Sequence, residues 1–233
     1  MKTWATIAAR LVFAAASIAG VITQLVIAVQ TDFGLVNFFS YFTTLGNLFA
    51  SVVFVVGAIR LMRGTPGGAA WQAVRGASVV YLAFIGIVFN TLLLGADLGG
   101  LMPWVNVVHH MLMPLVVVID WLVWPPTRRL SVRIALLWVV VPVVYTVYSL
   151  VRGAAVGFYC YPFFNPAAVG GYGGVAAYCA ALLVAFVALA FAVRAAGNAL
   201  GRRAGAGVSS GAGAGGAGAG GAGARGAGSA RDR

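Results

Sequence analysis

The chain has 233 residues, 62% of them hydrophobic and only 8% charged, with a formal net charge of +11. A soluble domain carries about 25% charged residues, and a soluble fold of this size could not hide so much apolar surface. The composition excludes a soluble enzyme and calls for lipid as solvent, which admits only helices or closed barrels; long continuous apolar runs, without strand-like alternation, select helices.

A span needs about 20 apolar residues. Six such runs are read at about 10–29, 38–60, 73–94, 104–124, 133–151 and 172–196. Turn signals at Gly64-Thr65-Pro66-Gly67-Gly68, Gly99-Gly100, Pro125-Pro126 and Gly170-Gly171 separate them. The first run exceeds a usual signal-peptide core and no clear small-residue cleavage site follows it, so it is read as a span. The expectation is an all-α, polytopic membrane domain over about 1–200 with six transmembrane helices. A Gly/Ala-rich tail over 201–233 has too little apolar side chain to offset its ordering entropy and is read as disordered and cytoplasmic.

Basic residues set the expected orientation. Of the fifteen, all but Arg152 fall on one side of this scheme, from Lys2 and Arg10 through Arg60, Arg63, Arg75, Arg128, Arg129 and Arg133 to the C-terminal arginines. The positive-inside rule puts that side, and both termini, in the cytoplasm. The opposite side holds Asp32, Asp97 and Arg152. The basic residues are too dispersed for a nucleic-acid surface; lipid is the partner the charge suggests. Arg-rich, Ala- and Gly-rich usage points to a bacterial genome and so to the bacterial cell membrane. Cys160 and Cys179 fall at different depths, a poor disulfide pair, and no metal-ligand spacing occurs.

Polar residues inside spans carry the functional information, because they are costly in hydrocarbon and face the bundle interior. In the second span Ser40, Thr43, Asn47 and Ala50 share a face. In the third, Gly76, Ala83 and Asn90 form a small-residue seam ending in an amide. In the fourth, Asn106, His110, Met113, Val117 and Asp120 make one stripe, which His109 leaves. Thr43 and His110 each lie roughly 8–9 Å below their expected helix starts, in one stratum with the three amides. An imidazole can activate a hydroxyl for nucleophilic attack. The competing reading has Thr43 bonded to its own backbone and a His–Asn pair joining helices, and spacing alone favours it. Asp120 is about 15 Å from His110 along the axis, too far for a triad; its expected role is structural, bonding interfacial groups or pairing with Arg128 or Arg129. A bis-His haem within the chain is excluded because the only two histidines are adjacent, and no cofactor is expected. An ion pathway lacks a series of acids or bases.

The segments Tyr41-Phe42-Thr43, Pro103-Trp104-Val105-Asn106 followed by His110 and Pro114, and Tyr161-Pro162-Phe163 resemble, in order and spacing, the motifs of the androgen-induced membrane hydrolases over about residues 38–165. Asp120-Trp121 and Arg152-Gly153 look more like that family's bacterial six-span relatives. The resemblance implies hydrolysis of fatty acid esters of hydroxy fatty acids, with Thr43 as nucleophile and His110 as base. The stretch from His to the following Pro is one residue shorter here, which leaves His109 as an alternative base. On this expectation Asn47 and Asn90 supply oxyanion donors, Asn106 orients the imidazole, and Arg152 holds a substrate carboxylate. The alternative is a non-enzymatic membrane protein, a small transporter or lipid-binding module, built around the same cluster.

Overall fold

A computed structural model describes residues 2–65, 67–95 and 100–214. Among them the chain forms eight α-helices: α1 (Lys2–Gln30), α2 (Leu35–Phe39), α3 (Phe42–Met62), α4 (Ala69–Val88), α5 (Pro103–Val107), α6 (Met113–Val123), α7 (Val132–Val156) and α8 (Tyr172–Ala214). A π-helical turn over Phe89–Leu93 extends α4, and a second over Val108–Leu112 joins α5 to α6. Six helical stretches among the described residues are long and apolar enough to cross a membrane: Thr3–Gln30, Phe42–Met62, Ala69–Leu93, Pro103–Val123, Val132–Val156 and Tyr172–Arg203. The protein is thus an all-α, polytopic six-span bundle. An even number of crossings puts both chain ends on one face.

Burial ranks the spans. In α4 61% of the most apolar window is buried, against 17% in α7 and in α8, so α4 is the axis and the last two spans carry much of the lipid-facing surface. α1 packs along α3, α4 lies against α3 and α6, and α7 pairs with α8. The core, with Phe54, Leu82, Met113, Val117, Trp121 and Phe186 all nearly inaccessible, has no hydrophobic drive to form within lipid; close packing and interhelical polar contacts hold it. Gly86 lets Pro114 approach so closely that an added Cβ would lie 2.9 Å from the proline ring. Gly76, expected on a small-residue seam with Ala83 and Asn90, accommodates Trp138 of α7.

Three boundaries differ from the sequence reading. The second span does not start at residue 38: the chain breaks at Ser40–Tyr41, and Thr43 falls in the first turn of α3 rather than five residues into a helix. α8 continues to Ala214, so the first part of the expected tail is helical; residues 215–233 lie outside the described residues, as do Asp97 and Gly99 of the second expected outer loop. Residues 157–171 do not simply cross the surface. They fold back through a 3-10 turn (Pro162–Phe164), and Tyr161, Phe163 and Phe164 bury against Val88, Phe89 and Leu93 at the face opposite the chain ends.

Asp120 is not partnered by Arg128 or Arg129, which are exposed. Arg10 of α1 grips it side-on, Nε to Oδ1 at 2.7 Å and Nη2 to Oδ2 at 3.0 Å, and Arg75 of α4 adds Nη2 to Oδ2 at 3.0 Å. Arg75 also donates to the Trp124 carbonyl and to Gln72 Oε1. The two arginines, read from sequence as flanking charges, are buried within their helices. A carboxylate from a third helix makes this possible, because a charge in a poor solvent survives only when paired and hydrogen-bonded.

Candidate functional site

The expected nucleophile and base line a common cavity. Thr43, His109, His110 and Tyr161 line one cavity of about 70 Å³, which Gln24 of α1 and Thr31 in the turn after it make comparatively polar. Thr43 and Tyr161 also line a second, larger cavity of about 270 Å³, walled by side chains such as Phe84, Val88 and Phe186. Val143 and Val147 of α7 and Leu183 of α8 line that chamber yet are exposed on the bundle surface, so its mouth opens sideways at hydrocarbon depth. Thr43 and Tyr161 therefore form a wall between a more polar vestibule and an apolar chamber.

The Thr43 hydroxyl is unlike its neighbours. Thr31, Ser40, Ser51, Thr91 and Thr146 each donate to the carbonyl four residues back, the usual fate of a helical hydroxyl. Thr43 does not: its carbonyl four residues back belongs to α2, beyond the Ser40–Tyr41 break. Its hydroxyl oxygen instead lies 3.4 Å from Tyr161 Oη. The break also leaves first-turn amides without helical acceptors, and tyrosines take them: Phe42 N–H donates to Tyr145 Oη at 3.2 Å and Thr43 N–H to Tyr161 Oη at 3.3 Å.

The histidines lie in the π-turn, just before Pro114. A strict α-helix would splay His109 and His110 about 100° apart, one facing away from the stripe. Here both are 5% exposed. His109 turns to α1, its Nε2 donating to the Ser17 carbonyl at 3.0 Å, against Gly20, where any Cβ would lie 2.7 Å from that nitrogen. His110 turns to α4 and stacks on Phe89, ring centroids 3.8 Å apart. Its Nδ1 faces Asn106 Oδ1 at 2.8 Å and the Asn106 carbonyl at 3.3 Å. Both are acceptors only, so Nδ1 carries the proton and Nε2 keeps its lone pair. No hydrogen bond joins Thr43 to His110 directly.

The amides of Asn47 and Asn90 do not serve the cavity. The N–H of Met113 bonds Val108 O in the π register, and Pro114 has no N–H to offer. The carbonyls of His109 and His110 are thus left without helical donors. Asn47 Nδ2 donates to His109 O at 3.4 Å and to Thr43 O at 3.0 Å; Asn90 Nδ2 donates to His110 O at 3.1 Å and Gly86 O at 2.7 Å. Neither asparagine lines either cavity. In place of free oxyanion donors, they fasten the histidine turn to α3 and α4. Arg152 also stands off: its Nη2 donates to Asn37 Oδ1 at 2.6 Å and its guanidinium lies over Phe158, lining neither cavity. Cys160 and Cys179 are free thiols. Cys160 donates to the Ser40 carbonyl at 3.3 Å, and burial pushes its pKa up, the environment of an unreactive thiol.

Tyr161 is the site residue that sequence reasoning passed over. The signal was present in the Tyr161-Pro162-Phe163 segment, but nothing in a loop's sequence says that it folds back onto a helix start 118 residues earlier. No family model, no curated protein and no solved structure matches the chain.

Proposed function

We propose that the protein is an intramembrane lipid ester hydrolase of the bacterial cell membrane, with Thr43 as nucleophile and His110 as base and with fatty acid esters of hydroxy fatty acids as a candidate substrate class. The observation that carries the reading is the wall itself. A hydroxyl free of backbone bonding separates an apolar chamber open to lipid from a polar vestibule holding an imidazole with a free Nε2.

The chemistry follows from that division. An ester enters sideways between α7 and α8 with an acyl chain in the chamber. Lipid tails are as apolar as the chamber wall, so the chamber orients the ester more than it attracts it, and orientation is the larger share of what an enforced encounter supplies. Thr43 attacks the carbonyl carbon, and its proton passes to His110 Nε2 through one water of the vestibule, whose volume exceeds the ~10–15 Å³ a water needs. The protonated imidazole gives that proton to the departing alcohol. A second water then attacks the acyl-threonine with His110 again as base, releasing the fatty acid and restoring Thr43. Asn106 holds the tautomer this sequence requires. His109, whose Nε2 is tied to α1, is the less suited base.

The test is covalent labelling of the purified protein with a fluorophosphonate probe, together with turnover of a hydroxy-fatty-acid ester. Loss of both in Thr43→Ala supports the reading. Asn106→Ala is expected to lower kcat about 10-fold, less than the ~10²–10⁴ that general-base catalysis as a whole supplies, with labelling slowed but not abolished; an unchanged kcat would remove Asn106 from the mechanism. The lateral apolar chamber also favours a second reading, a lipid-binding module without chemistry. Wild-type protein inert toward esters yet retaining bound acyl lipid would select it.

The orientation belongs to the same proposal. With the chain ends cytoplasmic, the vestibule faces outward. Reporter fusions at Gly34 and Gly170 are expected to register outside and a fusion at Gly64 inside; the reverse pattern would invert the scheme.

A further inference from the structure

Resting on that hydrolase reading, we infer that Tyr161 is a further catalytic residue, whose hydroxyl donates the hydrogen bond that stabilises the oxyanion formed when Thr43 attacks an ester. Transition-state charge of this kind needs a donor fixed in advance, and several donors near Thr43 are already spent. The amide hydrogens of Asn47 and Asn90 are spent on carbonyls. The first two amides of α3 are spent on tyrosine oxygens. Tyr145 spends its proton on the Ser40 carbonyl at 2.8 Å.

Tyr161 differs from Tyr145 at this point. Its oxygen accepts the Thr43 N–H at 3.3 Å, which fixes its position, while its own proton meets no backbone acceptor and faces the Thr43 hydroxyl at 3.4 Å, with the Tyr145 hydroxyl as a further polar neighbour. It lines both cavities, as does Thr43, so an ester carbonyl placed at the wall lies between the two. Its ring is held by stacking on Phe163, centroids 5.2 Å apart, and by an edge contact with Tyr41. Burial pushes the phenol up to about 12, so at neutral pH it is a donor and not a base.

The step balances as follows. A lone pair of Thr43 Oγ1 forms the bond to the carbonyl carbon as its proton leaves toward His110. The carbonyl π pair moves to oxygen. That oxygen is two bonds from Oγ1, so a donor already against Oγ1 reaches it with little movement. On collapse the pair returns, the ester C–O bond breaks, and the alkoxide takes the proton from His110. Tyr161 keeps its proton throughout.

The experiment uses the full chain in lipid nanodiscs with a p-nitrophenyl ester of a medium-chain fatty acid, comparing wild type, Thr43→Ala, Tyr161→Phe and a protein carrying fluorotyrosine at 161. Tyr161→Phe keeps the ring packing and is expected to lower kcat about 10²–10³-fold, the effect of losing one oxyanion donor, with KM little changed. The fluorotyrosine protein keeps the hydroxyl and changes its acidity, so its kcat should move with phenol acidity, which a merely structural hydroxyl would not produce. Wild-type kcat in Tyr161→Phe with Thr43→Ala inactive overturns the role of Tyr161 and leaves the hydrolase reading in place. If Tyr161→Phe does not fold, a kcat independent of fluorination overturns it equally. Equal rates in wild type and Thr43→Ala overturn both.

Discussion

Thr43→Ala is expected to bring ester turnover to background and to abolish fluorophosphonate labelling, while the protein stays folded. The residue is half-buried and its side chain makes one long contact, to Tyr161, so little packing is lost. Thr43→Ser keeps the hydroxyl at the break between α2 and α3 and should retain measurable turnover. His110→Ala removes the base and is expected to cost about 10²–10⁴ in kcat. Because the ring stacks on Phe89 and is bonded to Asn106, some melting temperature goes with it; His110→Gln, which fills more of the space, separates the two effects. His109→Ala should retain far more turnover than His110→Ala if Nε2 of His110 is the base. Full hydrolysis by Thr43→Ala would end the catalytic proposal and leave the polar cluster as a packing device.

The second large effect is on stability and lies at the other face. Asp120→Ala leaves the Arg10 and Arg75 guanidiniums buried without their carboxylate. Removing one partner of a buried ion pair costs about 3–5 kcal/mol, and here one carboxylate serves two cations from α1 and α4. The expected outcome is a protein that accumulates poorly in membranes and melts well below wild type in detergent. Replacing all three residues with apolar side chains of similar volume removes the unpaired charge and should recover most of that loss. Turnover per folded molecule should be unchanged in the recovered protein, since Asp120 lies about 15 Å along the helix from His110. A wild-type melting temperature for Asp120→Ala would show that the cluster contributes nothing to the fold.

These two regions separate what spacing could reveal from what it could not. The stripe Asn106, His110, Met113, Val117 and Asp120 was readable because helical periodicity relates residues of one helix. It identified Asp120 as a buried acid but not its partners. The nearest cations in the sequence, Arg128 and Arg129, are exposed, whereas those that reach it come from helices 110 and 45 residues away. Periodicity also set His109 outside the stripe. Both imidazoles are nevertheless buried, His109 against α1 and His110 against the end of α4, because helices flank this turn on both sides. The donor problem reversed in the same way. The Asn47 and Asn90 amides were expected to be free; a proline and a π-turn left the His109 and His110 carbonyls for them to satisfy.

By itself the sequence determined the solvent, the helical class, the number of spans and which side gathers the positive charge. Each follows from one-dimensional quantities: the length of apolar runs against bilayer thickness, and the alternation of basic loops. The tertiary structure alone decided which polar groups meet. It sealed Arg10 and Arg75 onto Asp120, turned Asn47 and Asn90 to the histidine carbonyls, and folded Tyr161 back beside Thr43. Such pairings depend on crossing angles, close approaches at residues such as Gly20 and Gly86, and local departures from the α register. In a membrane every buried donor and acceptor must find a partner within the protein, and the partner is chosen by distance in space, which the order of residues along the chain does not state.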